Sequence, residues 1–289
     1  MTEVDPGLCA VCGSGTRRAF SVETYWIRAC VKCGHEQAEL VPEEDHVERT
    51  YGDVYFFGGG TGYDNYLRDG ELRRRQGVFY GSLLRNHMPK GTRVLDVGAA
   101  AGFVMKGLED AGWRSSGIEP NPTMVQWAHE RLRLDVRAGS LETWQGAEQY
   151  DAVTMVQVIG HFVNPATALQ AAARLTRPGG LLLIESWNRE SWTRRICGRH
   201  WQEYSPPSVL HWFGVSDLKL LCQRHGFREV ARGYPRKLVS IAHIKSLLRS
   251  KAQAFWLAQC ALACFSLVPD RMTCWYPGDD LCWILFRNG

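Results

Sequence analysis

Residues 94–102 read Val-Leu-Asp-Val-Gly-Ala-Ala-Ala-Gly. A short apolar run carries an acidic residue near its end, and a loop of small residues follows that opens a helix at residues 103–105. Glycine lets a backbone approach a ligand closely, and a helix N-terminus adds unpaired N–H donors. The stretch therefore predicts the first strand, turn and helix of a nucleotide-binding α/β unit.

Strand and helix patterns alternate on the C-terminal side of this loop. Strands are predicted at 92–97, 115–119, 134–138, 150–157 and 180–186, and helices at 102–111, 121–132, 165–176 and 216–225. Another helix is predicted at 67–87, and a closing strand at 279–286. This alternation is typical of an α/β fold with a doubly wound, Rossmann-like, mostly parallel sheet.

The residue that ends the second strand narrows the choice of ligand. Glu119 lies 17 residues beyond Gly102, where a carboxylate can accept hydrogen bonds from both hydroxyls of a ribose. A dinucleotide enzyme also has an acidic residue at that distance. The loop lacks the full G-x-G-x-x-G that a pyrophosphate requires, and this favours S-adenosylmethionine.

Residues 92–230 resemble the class I S-adenosylmethionine-dependent methyltransferases. The resemblance rests on the loop, Glu119, a third element at 138–142, the apolar strand at 150–157 and an Arg-Pro-Gly-Gly turn at 177–180. More narrowly, the whole chain resembles bacterial methyltransferases with an N-terminal zinc ribbon, which are common in natural-product, sugar and cell-surface glycan or lipid pathways. It shares with them paired cysteine knuckles, an aromatic and glycine-rich flap and the stretch 201–213.

The resemblance implies a cofactor site. Its residues would be Asp96, Gly98, Ala100, Gly102, Glu119, Pro120, Ser140, Leu141, Gln157 and Tyr63. Three positions depart from the family pattern. Ala100 replaces a glycine, Ser140 replaces the aspartate usual near the adenine, and residues 157–161 replace Asp-Val-Ile-Glu-His with Gln-Val-Ile-Gly-His. Two carboxylates are therefore missing beside the expected reaction centre.

Two histidines are the candidate catalytic residues. Methyl transfer from a sulfonium is an in-line displacement, so the protein mainly aligns the nucleophile and removes its proton, a task that suits histidine. His161 lies in the loop where an acceptor should approach, and His211 lies between the fifth strand and the next helix. The alternative for His161 is a structural one, capping the next helix or bonding to the backbone. The tryptophans in 187–212 either line a substrate pocket or pack this insertion against the sheet.

Four cysteines near the N-terminus form two C-x-x-C pairs: Cys9, Cys12, Cys30 and Cys33. This spacing predicts a closed tetrahedral Zn²⁺ site, which is structural because it leaves no open position. Short strands at 19–22 and 25–28 complete the ribbon. The ribbon either braces the fold or contacts a substrate or partner, and His35 beside the last cysteine is interpreted as a bystander.

The chain is predicted to contain four segments. They are a zinc ribbon at 1–40, a linker with flap and leading helix at 41–90, a cofactor-binding α/β core at 91–234 with a substrate insertion at 187–214, and a helical cover with the closing strand at 235–289. Residues 235–251 form a basic amphipathic pattern, and 252–268 are nearly all apolar. A membrane-spanning helix needs about 20 apolar residues, so a buried or substrate-covering helix is favoured over contact with a membrane surface.

The composition limits the partners. Hydrophobic residues make up 45% and charged residues 22% of the chain, which is ordinary for a globular protein. A net charge of +4 and a ribbon with few basic residues count against nucleic acid. The first residues lack the pattern of a signal peptide, and ten cysteines with four in knuckle pairs favour the reducing cytoplasm.

Three functions are compatible with these features. The first is an S-adenosylmethionine-dependent methyltransferase that acts on O, N or C of a small natural-product, sugar or lipid-linked acceptor. The second is an rRNA or tRNA methyltransferase whose zinc ribbon grips RNA. The third keeps the fold and cofactor without methyl transfer, as a binding module or a cofactor-assisted lyase or cyclase. The sequence identifies neither the acceptor atom nor the oligomeric state.

Overall fold

A seven-stranded sheet organises the protein, whose structure is a computed structural model. The described residues are 5–43, 45–58, 62–63, 65–235, 238–242, 244–245, 249, 263–264, 267–275 and 278–289. Their strands are β1 (Thr16–Val22), β2 (Tyr25–Cys30), β3 (Glu36–Ala38), β4 (Arg93–Val97), β5 (Arg114–Glu119), β6 (Val136–Ala138), β7 (Tyr150–Val156), β8 (Thr176–Trp187), β9 (His211–Trp212), β10 (Phe227–Gly233), β11 (Leu238–Ser240), β12 (Thr273–Trp275) and β13 (Leu281–Asn288).

Helices connect these strands. The α-helices are α1 (His46–Thr50), α2 (Asp53–Phe57), α3 (Gly70–His87), α4 (Phe103–Asp110), α5 (Pro122–Trp127), α6 (Pro165–Leu175), α7 (Trp192–Cys197) and α8 (Val215–Arg224). Single 3₁₀ turns lie at Tyr66–Asp69, Leu141–Thr143, Ile159–His161 and Gly198–His200, and a π turn at Ala128–Leu132 extends α5.

The large sheet has the strand order β10-β13-β8-β7-β4-β5-β6. β4 pairs in parallel with β5 and β7, and the parallel pairing continues to β6 on one side and β8 on the other. Only β13 runs against its neighbours β8 and β10 among the described strands of this sheet. The predicted doubly wound, mostly parallel α/β fold is confirmed. Because the strand order reverses beside β4, a ligand crevice is expected at the carboxyl ends of β4 and β7.

Local signals explain where two helices of this fold begin. Asn121 precedes Pro122, and its side chain accepts a hydrogen bond from the backbone N–H of Met124. Asn164 precedes Pro165 in the same way and caps α6. An asparagine oxygen satisfies an unpaired helix donor, while proline at the first helical position needs no donor. The two Asn-Pro pairs therefore fix the starts of α5 and α6 after β5 and β7.

Helices α3 and α4 pack unusually close together. A Cβ on Gly77 of α3 would lie 2.2 Å from the backbone oxygen of Val104, and one on Gly107 of α4 would lie 2.0 Å from that of Arg74. Only glycine allows two backbones to approach this closely. The contact holds α3 at the edge of the crevice beside the start of α4.

The N-terminal strands form a second, smaller sheet together with β9. Its order is β1-β2-β3-β9, with antiparallel pairing throughout. β9 comes from the insertion after β8, so the ribbon extends onto the α/β core. A buried cluster lies against this sheet and contains Ile27, Ala38, Trp201, Tyr204, Leu210 and Trp212. Trp201 and Trp212 thus take the packing role that the sequence left open.

The C-terminal region divides into two parts. Residues 279–289 belong with 1–235 in one compact unit, and 236–278 form another. In the second unit β11 pairs with β12, and the Lys245 ammonium lies 2.7 Å from the Asp270 carboxylate. The predicted basic pattern at 235–251 falls partly, and the apolar stretch at 252–268 mostly, outside the described residues. Within the described part of the chain, no helix has the length and apolarity needed to cross a membrane.

Candidate active site

A cavity of about 1010 Å³, including its open mouth, lies at the carboxyl ends of β4, β5 and β7. Nine of the predicted cofactor residues line it: Asp96, Gly98, Ala100, Glu119, Pro120, Ser140, Leu141, Gln157 and Tyr63. The catalytic candidate His161 lines it as well. The predicted cofactor residues and His161 therefore share one cavity at the edge of the sheet.

The loop after β4 bends back to reach the next strand. Gly98 has φ +69°, and an added Cβ there would lie 2.5 Å from Val158, so glycine is required. Ala100 also has a positive φ, +47°. This left-handed conformation costs an alanine about 1–2 kcal/mol, which the fold must offset elsewhere. In return, the Ala100 N–H points at the Glu119 carboxylate, 2.8 Å away.

Glu119 is held at the end of β5 with only 3% of its surface exposed. One carboxylate oxygen accepts from Ala100 N–H, and the other accepts from Asn121 N–H at 2.9 Å. Burial raises the pKa of Glu119 to about 7, against the lowering effect of these two backbone donors. Each oxygen keeps a second lone pair, so the carboxylate can still accept from two hydroxyls of a ligand.

Asp96 is the second buried carboxylate of the cavity. Its Oδ1 accepts a hydrogen bond from the Thr154 hydroxyl on the neighbouring strand, at 2.6 Å. Burial raises the pKa of Asp96 to about 7, and the negative charge of Glu119 adds to the shift. A cationic ligand group in the cavity would lower the pKa of Asp96 again and favour its charged form.

Gly102 is the predicted cofactor residue that the structure places outside the cavity lining. It has φ +81° and precedes α4, and an added Cβ would lie 2.6 Å from Leu134. Glycine is needed at this position because of the left-handed turn into α4 and the close packing against Leu134. The structure therefore gives this position a conformational function.

Ser140 and Leu141 form the wall beyond β6. The Ser140 hydroxyl accepts from Glu142 N–H at 3.4 Å, and Leu141 is buried. Glu142 in turn accepts from the backbone of Asn164 at 2.6 Å, which ties this wall to the start of α6. Ser140 thus lines the cavity with a neutral side chain at the position where the sequence comparison with the family pattern predicted a departure from aspartate.

Aromatic side chains from the connector close one side of the cavity, and Tyr63 is the one that belongs to the predicted cofactor residues. The others are Tyr51, Tyr55, Phe56 and Tyr66. Neighbouring rings meet edge to face with centroids 5.0 to 5.6 Å apart. The density of aromatic residues between 51 and 66 was the available signal. Residues 59–61 and 64 of the flap lie outside the described residues.

Arg73 of α3 also lines the cavity and was not predicted. Its guanidinium lies 4.8 Å from the ring centroid of Tyr63 and 4.0 Å from that of Tyr66. Its buried Nε has no hydrogen-bond partner among the residues that the structure describes. A buried guanidinium donor without an acceptor is costly, and an anionic ligand group would satisfy it.

A third buried carboxylate, Glu185, lies at the end of β8 and anchors Gln157. The Gln157 amide donates to it at 2.7 Å, and Gln76 of α3 donates to its other oxygen at 2.7 Å. The Tyr80 hydroxyl donates to it as well. Gln157 itself has φ +58°, a strained conformation that points to a constrained loop. No sequence pattern identified this network.

His161 lies on the 3₁₀ turn after β7 and is partly buried. Its Nδ1 donates to the backbone oxygen of Ser208 at 2.7 Å, and the Tyr51 hydroxyl lies 3.2 Å from the same nitrogen. Burial lowers the pKa of His161, and the backbone of Ser208 and of Gln157 opposes the shift. A neutral ring that donates through Nδ1 carries its lone pair on Nε2. The bond to Ser208 therefore fixes the orientation of the ring.

His211, the other catalytic candidate, lies outside the cavity lining. It is 6% exposed on β9, and its Nδ1 is 3.1 Å from Nε2 of His35. Burial lowers the pKa of His211 to about 3, with the charge of His35 as the second cause. The structure thus places the His211 side chain beside His35 of the ribbon and outside the cavity lining, although its backbone touches the loop that carries His161.

The four knuckle cysteines come together at the tip of the ribbon. Their sulfur atoms all lie within 4.8 Å of one another. The Cys9–Cys33 sulfur distance is 3.6 Å and the Cys12–Cys30 distance 3.4 Å. Four sulfurs bound tetrahedrally at about 2.3 Å from Zn²⁺ lie about 3.8 Å apart, so the arrangement fits this ion with small adjustments.

Comparisons with known proteins agree with this geometry. The family described as "Methyltransferase domain" matches residues 72–231, more than half of the chain. The ubiquinone biosynthesis O-methyltransferase of Alkalilimnicola ehrlichii is 29% identical over 153 residues, which cover 45% of this chain. The match spans 62% of the length of that relative.

Two solved structures share the fold. A SAM-dependent methyltransferase from Thermotoga maritima has a TM-score of 0.50 at 19% identity, covering 77% of this chain and 93% of that one. The amino pentose methyltransferase CalS10 from Micromonospora echinaspora, solved with bound S-adenosylmethionine, has a TM-score of 0.50 at 14% identity, covering 78% and 94%. Together with the family match, the sheet order and the cavity at its switch point show that the chain belongs to the class I S-adenosylmethionine-dependent methyltransferases.

Proposed function

We propose that the protein transfers a methyl group from S-adenosylmethionine to a hydroxyl oxygen of a small molecule, with His161 as general base. One observation carries the proposal: His161 is oriented by the bond from its Nδ1 to the Ser208 carbonyl, and it lines the same cavity as the cofactor residues. The name of the curated relative, an O-methyltransferase, supports oxygen as the acceptor atom.

The residues of the cavity fit the proposed cofactor group by group. Glu119 would accept from the ribose hydroxyls, and Asp96 would hold the ammonium of the methionine part. Arg73, with its unsatisfied Nε, would hold the carboxylate. The backbone around Gly98 would allow the cofactor to approach closely, and Ser140 would contribute to the adenine site. Two buried carboxylates with raised pKa values and one buried cation match a ligand that carries two positive charges and one negative charge.

The bound cofactor supplies a methyl group on a sulfonium, and the protein supplies position and proton transfer. Nε2 of His161 accepts the hydroxyl proton as the acceptor attacks. The Ser208 carbonyl stabilises the protonated ring through Nδ1. Gln157, held by Glu185, shapes the opposite side of the loop. The rings of Tyr51, Tyr55, Phe56, Tyr63 and Tyr66 would exclude water from the reacting groups.

A small acceptor is favoured over RNA by the charges of the ribbon. Arg18 and Arg28 both pair with Glu39, at 2.5 and 2.8 Å. Cations neutralised in this way are poor contacts for phosphates. We therefore propose a small acceptor of the natural-product, sugar or lipid-linked kind.

We also propose that the four cysteines bind one structural Zn²⁺. Backbone N–H groups of Val11, Lys32 and Cys33 lie 3.4 Å from the sulfurs of Cys9 and Cys30, an arrangement that stabilises thiolates. Ligands of this kind must stay reduced, so we place the protein in the cytoplasm. The aromatic flap would act as a lid over the cofactor or substrate, and this proposal is supported by the contribution of Tyr55, Phe56, Tyr63 and Tyr66 to the cavity.

The test is a transfer assay with methyl-labelled S-adenosylmethionine and a panel of phenols, hydroxylated sugars and lipid alcohols. We expect labelled product with at least one class and none with a tRNA and rRNA mixture. With that acceptor, His161→Asn retains a donor toward Ser208 but lacks Nε2, so kcat should fall by roughly 100-fold or more. Unchanged turnover would show that His161 is not the base, and labelling of RNA alone would contradict the small acceptor.

A further inference from the structure

The segment 208–212 lies between the ribbon and the loop that carries His161. On the loop side, the Ser208 carbonyl accepts from Nδ1 of His161 at 2.7 Å and from the Tyr51 hydroxyl at 2.6 Å. Two residues later, Leu210 N–H donates to the Gly160 carbonyl at 2.9 Å. The segment thus contacts the loop through its backbone at two points.

Steric contact reinforces these hydrogen bonds. A Cβ on Gly160 would lie 2.7 Å from the backbone oxygen of His211. The loop and β9 therefore touch without any side chain between them. Any displacement of β9 must move the loop, because the close packing leaves no free space to absorb it.

On its other side the same segment is a strand of the ribbon sheet. β9 pairs with β3 through Glu36 opposite Trp212 and Gln37 opposite His211. Ala38 N–H donates to the Leu210 carbonyl at 2.8 Å, which extends the pairing by one residue. A two-residue strand offers few hydrogen bonds, so its position depends on side-chain contacts as well.

His35 provides those contacts. It is 0% exposed and lies two residues after Cys33. Its Nδ1 is 3.1 Å from the Asp217 carboxylate of α8, and its Nε2 is 3.1 Å from Nδ1 of His211. Arg189 connects the same carboxylate to the cysteine knuckle, donating to Asp217 and to the Cys33 carbonyl at 3.3 Å each. The ring of His35 thus fastens β9 and α8 to the knuckle.

We propose that the ribbon is a positioning element for the active-site loop, and that His35 is the positioning residue that locks it. The path runs from the knuckle through His35 and β9 to the Ser208 carbonyl, and from there to Nδ1 of His161. The effect on catalysis rests on the proposed function, because it acts through His161. The mechanical link itself is independent of which reaction the cavity performs.

The test compares the full-length protein with His35→Leu and with Lys32→Ala, a control that changes an exposed side chain of the same knuckle. All proteins are saturated with S-adenosylhomocysteine, and hydrogen exchange is followed in the peptides 157–163 and 208–213. We expect His35→Leu to raise exchange at least tenfold in both peptides, with metal content unchanged and the control like wild type. His35→Gln, which can bond to one of the two partners, should lie between them and covers the case in which the leucine variant does not fold.

A second readout reports on His161 directly. In ¹⁵N-histidine spectra the wild type should show one His161 tautomer with the proton on Nδ1, and His35→Leu should show a mixture. Faster exchange confined to the ribbon, or spread evenly over the whole chain, would overturn the proposal. Failure of the proposed function would give a different pair of results. His161→Asn would keep its turnover, but His35→Leu would still raise hydrogen exchange in the active-site loop.

Discussion

At the scale of single residues, the cavity is defined by carboxylates that burial makes reluctant to ionise. An exposed aspartate or glutamate has a pKa near 4, whereas burial raises the pKa of Asp96 and Glu119 to about 7. Neutral donors hold both groups: the Thr154 hydroxyl and the backbone of Ala100 and Asn121. A ligand with an ammonium and two hydroxyls would supply the cation and the further hydrogen-bond donors that these two carboxylates lack. Two predictions follow from this match.

Glu119→Gln should weaken binding of S-adenosylmethionine by roughly 10- to 100-fold. The change keeps the size of the side chain but replaces charged acceptors for two ribose hydroxyls by one neutral oxygen, and hydrogen bonds to charged groups contribute about 1.5–3 kcal/mol. Isothermal titration measures the loss. Glu130→Gln removes an exposed carboxylate on the π turn and should bind as wild type does. Equal affinities of wild type and Glu119→Gln would remove Glu119 from the ribose site.

Affinity for S-adenosylmethionine should rise with pH between 6 and 8. In the free protein Asp96 and Glu119 have pKa values of about 7, so both are largely protonated at pH 6. The bound cofactor favours the charged forms of both groups, so binding at pH 6 must release protons. Below the pKa of each group, the affinity therefore rises by up to about tenfold per group for each unit of increase in pH. Isothermal titrations in buffers of different ionisation enthalpy measure how many protons are released on binding. A flat profile without proton release would contradict the assignment.

At the scale of elements, the parallel strands and their helices could be predicted because their signals are local. Buried strands are apolar runs, and Asn-Pro pairs cap α5 and α6. β9 could not be predicted in this way, because two residues carry no periodic pattern and its partner β3 lies about 170 residues earlier in the chain. The position of Arg73 in the cavity could not be predicted for a related reason. It is one of three consecutive arginines on α3, and only the packing of α3 determines which of them lines the cavity.

The close contact between α3 and α4 makes a prediction at this scale. Gly77→Ala would bring a Cβ to 2.2 Å from the Val104 backbone oxygen, so α3 must move outward. Overpacking of this kind costs about 1–3 kcal/mol of unfolding free energy. Because α3 carries Arg73 and Gln76, affinity for S-adenosylmethionine should fall as well. Urea unfolding and titration measure both effects.

The matched control for this contact is Ser82→Ala, an exposed position on the same helix. It removes a hydroxyl that bonds only to the backbone of its own helix, the Val78 carbonyl at 2.9 Å, and should change neither quantity measurably. If Gly77→Ala unfolds and binds like this control, the two helices are less tightly apposed than their backbone distances indicate.

At the scale of the whole molecule, the ribbon and the α/β core share one interior. Cys9, Val11 and Cys30 belong to the same buried cluster as Phe213 and other core residues. The cysteine spacing was enough to predict a metal site, but not this attachment. His35 was interpreted as a bystander because both of its partners lie more than 170 residues away in the chain. Contacts between distant segments leave no trace in local sequence patterns.

Loss of metal should therefore destabilise the whole unit, and Cys9→Ser tests this. With three sulfur ligands left and a buried hydroxyl in the core, we expect less than one zinc per chain. We also expect a loss of at least about 2 kcal/mol in unfolding free energy, which lowers Tm by roughly 4–8 °C in a domain of this size. Chelation of wild-type zinc should reproduce the shift, and added zinc should reverse it. Cys197→Ser, a change at an exposed position outside the cluster, is the control. A shared interior predicts a single cooperative unfolding transition of Cys9→Ser at a lower temperature. If the ribbon were an independent appendage, only the ribbon would melt early, and the core would unfold at the wild-type temperature.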